Sequence, residues 1–322
     1  MAQRKYSSKK QKRMDPAVQT VTLITPTTIG GATGNHTIDL SQVASLINRR
    51  FYRQGINWAV AGFKIFTATP GAVSIHKLQN TWVTGNAWEK AFRMWNKQQM
   101  DAVEDGGAES AVARFRDFKV HMDPTHVAAG FAANLLPSDA TGTPITPGEW
   151  EASLIVLPNT ASDGSSFVEP SERLLHMNGL NVNGTVSRGI IEGYADSRSY
   201  PQSPDPVSPD IASSQNWMAR MFDVGNDINE SLENATDRND NLPYDQVNYP
   251  GGSLNFAGLQ IHDQSSITAT TIGGTTRLKG GNFPCGLIRV QHNPLESANL
   301  VIQIDLVPGS HRGYLCEPMT EM

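Results

Sequence analysis

Cysteine is scarce in this chain, with only Cys285 and Cys316 present. Two thiols are too few for a disulfide framework and do not stand in metal-ligand spacing, so both are expected as buried free thiols. Long apolar runs are missing too. No stretch approaches the roughly 18 apolar residues of a membrane span, and the N-terminal region is basic and polar, without the apolar core of a secretory signal. These absences predict a protein used in the cytosol or nucleus and without membrane insertion. They also remove weight from the sequons at Asn35, Asn183, Asn229 and Asn234.

Catalytic signatures are equally sparse. Gly30-Gly31-Ala32-Thr33-Gly34 is glycine-rich, but it lacks the Lys-Ser/Thr and the helix that a phosphate loop needs, and it reads as a turn. Neither His-Glu-x-x-His nor Gly-x-Ser-x-Gly occurs. The eight histidines are scattered, and only His121 and His126 stand close, with a turn expected at 122–125 between them. Two ligands fall short of a zinc site, so no metal and no cofactor is expected. The acidic run Asp223, Asp227, Glu230, Glu233, Asp237 and Asp240 fits no calcium-loop spacing and reads as a solvated face. With 31 acidic residues a catalytic carboxylate pair is conceivable, but nothing singles one out. A non-enzymatic role is the expectation.

What the chain does have is turn-forming residues, 28 Gly and 19 Pro alongside 39% hydrophobic content, the mix of short strands joined by long loops. Period-two alternation marks strands at 18–25, 58–69, 73–82 and 115–122. Further strands are expected at 149–157, 173–177, 187–194, 266–278, 285–292 and 300–307. One stretch breaks this rhythm: Trp88, Phe92, Trp95 and Gln99 share one helical face, predicting a helix over 87–100 that starts at Gly85-Asn86. Segment 199–250, opened by Pro201, Pro204, Pro206 and Pro209, is expected to be a long loop insertion with a short helix at 215–222. No fixed repeat is visible, and strands do not alternate with helices, which excludes propellers, solenoids and doubly wound folds. The remaining solution is all-β: a single, eight-stranded antiparallel jelly-roll β-sandwich over 17–322 with long loops and one or two short helices.

Charge is distributed unevenly. Arg4, Lys5, Lys9, Lys10, Lys12 and Arg13 fall within residues 1–14, which contain no acid. Removing those six from the 26 basic residues leaves 20 against 31 acidic ones, so a formal net charge of −5 divides into a cationic leader and a body at −11. Residues 1–16 read as a flexible basic arm. Such an arm suits a polyanion, because neutralising phosphates releases condensed counterions, and binding of this kind ignores sequence. The six cations are therefore the candidate nucleic-acid-binding residues; the Lys9-Lys10-Gln11-Lys12-Arg13 cluster also fits a nuclear localisation signal.

A cationic arm, an expected jelly roll with polar loops, the closing stretch Val301-Ile302-Gln303-Ile304-Asp305-Leu306-Val307-Pro308-Gly309 with His311-Arg312-Gly313-Tyr314, and the Trp88-Glu89-Lys90-Ala91-Phe92 region are together similar to capsid proteins of small circular Rep-encoding single-stranded DNA viruses. The resemblance implies a virion protein that assembles with itself into an icosahedral shell of about 60 identical copies, with the arm facing inward on a single-stranded DNA genome. Many relatives in that group carry longer, arginine-rich arms, whereas this one has two Arg and four Lys. A cationic arm does not separate DNA from RNA, so an RNA-virus capsid stays open. Two further functions stay open on the same residues. One is a carbohydrate-binding or adhesive β-sandwich module, which would share the strand and loop content. The second is an enzyme on a cupin scaffold, which would gather histidines and a carboxylate on neighbouring strands.

Overall fold

A computed structural model describes residues 16–113, 115–157, 171–180, 186–196, 258–268 and 274–321. The six arm cations, the 199–250 insertion, its expected helix at 215–222 and the acidic run at 223–240 lie outside the described residues.

The described chain is mostly β, arranged in four sheets. The strands, in chain order, are β1 (Thr20–Ile24), β2 (Gly34–Asp39), β3 (Ile56–Phe66), β4 (Gly71–Lys77), β5 (Leu154–Leu157), β6 (Ser171–His176), β7 (Ser187–Gly189), β8 (Gln260–Ile267), β9 (Thr275–Phe283), β10 (Leu287–Pro294), β11 (Val301–Leu306), β12 (Pro308–Gly309), β13 (Gly313–Tyr314) and β14 (Cys316–Pro318). Helices are α1 (Leu40–Asn48), α2 (Trp82–Asp105), α3 (Pro124–Ala129) and α4 (Ile190–Asp196). The first large sheet runs β1-β11-β3, with β9 also on β3 and β14 pairing the start of β3; the second runs β2-β10-β4-β8. All of these pairings are antiparallel.

Alternation builds the core between these two sheets. Val21 and Leu23 of β1 and Ile302, Ile304 and Leu306 of β11 point inward from one side, and Ile75, Ile288 and Val290 from the other, all in one buried cluster. In β3 the rhythm changes hand: Trp58 and Val60 are buried at even positions, Phe63 and Ile65 at odd ones. The cause is a β-bulge at Ala61, where β3 gains one residue against β11; against β9, Ala61 and Gly280 are passed over together and the register is kept. A second cluster packs α2 and α4 against the 118–122 segment, β5, β6 and the start of β10.

Several expected elements take a different form. The helix predicted over 87–100 starts five residues earlier and ends five later. Gly85 and Asn86 lie inside it, because burying Val83, Thr84 and Ala87 outweighs the roughly 1 kcal/mol cost of an internal glycine. Accordingly, the strand expected at 73–82 stops at Lys77. Segment 115–122 buries Phe118, Val120 and Met122 on one side as its alternation predicts, yet it joins no sheet beyond a single bridge from His121 to His176. Its backbone bonds are shared between backbone and side chains: the His121 N–H donates to the Leu175 carbonyl (2.9 Å) and the Met177 N–H to the His121 carbonyl (2.9 Å), while Gln54 accepts from the Val120 N–H (2.6 Å) and donates to the Val120 carbonyl (3.0 Å), and Ser153 Oγ accepts from the Lys119 N–H (3.0 Å). The strand expected at 149–157 is only β5, because Trp150 and Ser153 are engaged elsewhere. After three residues the strand expected at 187–194 gives way to α4, whose Ile190 and Ile191 are buried in the α2 cluster. The run at 266–278 spans two strands, β8 and β9, that belong to different sheets. Strand β2 and helix α1, which follow the glycine-rich turn, have no counterpart among the expected elements. Helix α1 starts where the Asp39 carboxylate accepts from the Ser41 and Gln42 N–H groups.

Candidate nucleic-acid interface

Helix α1 ends at Arg49, whose left-handed backbone (φ 54°) turns the chain into Arg50-Phe51-Tyr52-Arg53 before β3 begins. Tyr52 is the anchor of this turn. Its ring is buried at 5.6 Å from Tyr314 and 5.9 Å from Trp58, and its hydroxyl donates to the Arg312 carbonyl (3.0 Å). The neighbours Phe51 and Arg53 are left toward the surface, half-buried and exposed respectively. Arg312 in turn donates to the Phe51 carbonyl.

Around Phe51, cations and aromatic rings alternate. Its ring centroid lies 5.3 Å from that of Phe115. The Arg53 guanidinium and the Lys119 ammonium each sit 5.9 Å from it, and the same ammonium lies 4.7 Å from the Trp150 ring. A groove of about 750 Å³ is lined by Arg49, Arg50, Phe51, Phe115, Lys119 and Trp150 among others, and a neighbouring one of about 460 Å³ by Phe51, Arg53, Phe115 and Arg312. Phe51 and Phe115 are common to both. Acids are present too: Glu149 and Glu151 line the larger groove and Asp117 the smaller. Burial raises the Asp117 pKa, against the Gln54 N–H it accepts and the nearby Lys119 and Arg53. None of Arg49, Arg50, Arg53 and Lys119 is ion-paired among the described residues, in contrast to Lys64 with Asp305, Arg93 with Glu89 and Arg289 with Asp123.

The N-terminal segment enters the fold beside this groove. The Val18 N–H donates to Asn48 Oδ1 (3.1 Å), one residue before Arg49, and the Tyr314 hydroxyl donates to the Val18 carbonyl (2.7 Å). The candidate cations of the arm thus precede, in sequence, a junction that abuts a second cationic cluster. Sequence reading did not single out Arg49, Arg50 and Arg53, although a signal existed: three arginines in five positions, interleaved with two aromatics, in an otherwise acidic body.

On the outer face of the second sheet lies a buried histidine cluster. His121 and His126, expected to flank a turn, flank the start of α3 instead; their rings are 4.9 Å apart, and the His121 bridge brings His176 alongside. Both ring nitrogens of His126 are used. Nδ1 accepts from the Met122 N–H (3.0 Å), which leaves the proton on Nε2 to donate to Asn134 Oδ1 (2.8 Å), and Asn134 donates onward to Gln42 (3.0 Å). Asp123 caps α3 at the His126 N–H and receives Arg289, whose Nη2 donates at 2.7 Å while its Nε donates to Thr37. Burial, with the neighbouring histidine charges, lowers the His121 pKa to about 4 and the His126 pKa to about 3, and burial lowers that of His176. Among the described residues, no group of three or more His, Cys, Asp or Glu side chains is placed to hold a metal ion. Cys285 is buried, and burial pushes its thiol pKa well up, that of Cys316 to about 12; both cysteines are free. No helix of the described residues is long and apolar enough to cross a membrane.

No family model, no curated protein and no solved structure matches the chain.

Proposed function

We propose that this protein is a capsid subunit: a jelly roll that assembles with copies of itself into an icosahedral shell and packages a single-stranded nucleic acid genome, with no enzymatic activity. The observation that carries the reading is the nested pairing of eight strands, attached directly to a cation-rich leader. β1 pairs β11, β2 pairs β10, β3 pairs β9 and β4 pairs β8, so the chain is a long antiparallel ribbon folded over on itself. That nesting supports the jelly-roll reading, an architecture shared by viral shell domains, lectins and cupins. The acid-free run of six cations favours the first of these over the other two.

A shell subunit needs anchors for its neighbours. Ile29 and Leu295, each 72% exposed, lie on two loops packed against each other, where the Gly31 N–H donates to the Pro294 carbonyl (2.7 Å). This loop pair offers a contact for a second copy. Electron microscopy and sedimentation of the purified protein test the reading: particles in the megadalton range are expected, and a protein that stays monomeric at every salt and pH overturns it. Deleting residues 1–14 is expected to leave shells that carry less nucleic acid; an unchanged 260/280 nm absorbance ratio would remove the arm from packaging.

A further inference from the structure

The geometry points to the groove around Arg49–Arg53 as a built site for a single nucleic-acid strand, one that stacks an unpaired base on Phe115 and meets the adjoining phosphates with Arg49, Arg50 and Arg53. This inference rests on the packaging function proposed above and gives it a location on the folded body.

Three observations carry it. The first is chemical: a sequence-blind single-strand site joins cations that follow a backbone to aromatic faces on which bases stack, and here Phe51, Phe115 and Trp150 alternate with Arg53 and Lys119 at 4.7–5.9 Å. Phe115 is 58% exposed and its ring centroid lies 5.3 Å from that of Phe51. The second is electrostatic. Five cations, Arg312 included, border two adjoining grooves of a body whose net charge is −11, against three acids, of which Asp117 has its pKa raised by burial. An apolar protein partner has no need of that concentration, whereas a polyanion does. The third is placement, since Val18, bonded to Asn48, brings the cationic leader into the fold one residue from Arg49.

Single strands are favoured over duplexes for two reasons. Paired bases have no free face for Phe115, and a second row of phosphates would meet Glu149 and Glu151, which line the same groove.

The test uses unassembled full-length chain in which Arg4, Lys5, Lys9, Lys10, Lys12 and Arg13 are all replaced by Gln, so that the arm contributes little. Fluorescence anisotropy with a labelled oligothymidylate, a duplex of equal length and a polyglutamate competitor is measured across a salt series. The oligothymidylate is expected to bind more tightly than the duplex and to resist polyglutamate. Adding Phe115→Ala is expected to weaken it roughly tenfold with the salt slope unchanged. Adding Arg49→Gln and Arg53→Gln instead is expected to flatten the log-log salt slope by about 1.4, two phosphate contacts. Wild-type affinity and slope in both variants, or equal binding of duplex or polyglutamate, overturns the site. Imaging the unmodified chain separates the two ideas: shells without any groove effect sink this inference alone, while a lack of particles sinks the capsid reading and leaves the binding data to judge the groove.

Discussion

Asp39 shows how one buried side chain can hold several segments in place. Its Oδ1 accepts from the Ser41 and Gln42 N–H groups and its Oδ2 from Gln54 (3.1 Å) and Trp150 (3.1 Å), so the α1 cap, the approach to β3 and the 150 region share one carboxylate. Burial raises its pKa to about 6 in spite of these donors. Replacing it with Ala strands four donors, and Asp39→Ala is expected to lower the unfolding free energy by about 3–5 kcal/mol in urea titration. Asp39→Asn should cost less, because one oxygen can still cap α1 while the new amide faces the Gln54 and Trp150 donors. Equal losses from the two variants would mean that the Gln54 and Trp150 contacts, not the cap, carry the effect. No local pattern announces this network, since Asp39 lies 15 residues from Gln54 and 111 from Trp150 in sequence. The cationic and aromatic character of Arg49 to Arg53 was readable, but its partners Phe115, Lys119 and Trp150 come from distant segments.

Elements are held together here by close approach as much as by ladders. Gly55, just before β3, lies so near α2 that an added Cβ would stand 2.1 Å from Trp88 Cζ2 and 2.4 Å from Cη2. Gly55→Ala is therefore expected to unseat Trp88 and cost about 1–3 kcal/mol, read as a lower melting temperature with a disturbed near-ultraviolet tryptophan signal; an unchanged spectrum would show that α2 yields without loss. The strands β1 and β11 were legible because one face is buried and the other wet, which writes a period of two into the sequence. β2 was not, because its Gly34-Asn35-His36 start carries no apolar alternation and its pairing to β10 alone makes it a strand. Segment 115–122 is the converse case. Its alternation is real, but its backbone hydrogen bonds are divided between the backbone of residues 153 and 175–178 and the side chains of Gln54 and Ser153, and periodicity reports burial without reporting who takes those bonds.

At the scale of the whole molecule, acid sensitivity follows from the buried histidines. His36, His121 and His126 have folded pKa values of about 4, 4 and 3, and His76, His176 and His292 are also lowered, burial being the first cause for each. Unfolded, each binds its proton near pH 6.5. The stability contribution is thus fully present above that pH and lost progressively as pH falls toward 4, because the unfolded state takes up protons first. Asp39, with its raised pKa, acts in the opposite sense between about 6 and 3.8, one group against several. His126 adds a geometric reason: a proton on Nδ1 would face the Met122 N–H that Nδ1 now accepts. The melting temperature is expected to fall steadily between pH 6.5 and 4.5, with a shallower fall in His126→Gln; a flat profile over that range would refute the assignment. At the same scale, Ile29→Lys combined with Leu295→Asp is expected to abolish particle formation while leaving the melting temperature of the subunit unchanged, as checked by electron microscopy and calorimetry. Particles of normal yield would remove that loop pair from the assembly contact.

The order of residues alone determined the β-rich character, the position of the main amphipathic helix and the segregation of charge into a leader and an acidic body, because burial periodicity and charge are local properties of the chain. Only the tertiary structure decided which strands pair, where the 58–65 rhythm reverses, and that Arg49, Arg50 and Arg53 meet Phe115, Lys119 and Trp150 along two adjoining grooves. Those outcomes depend on contacts between segments up to nearly 300 residues apart, such as Thr20 with Asp305 and Val18 with Tyr314. Such contacts are selected by the packing of a complete core, which no local window of sequence contains.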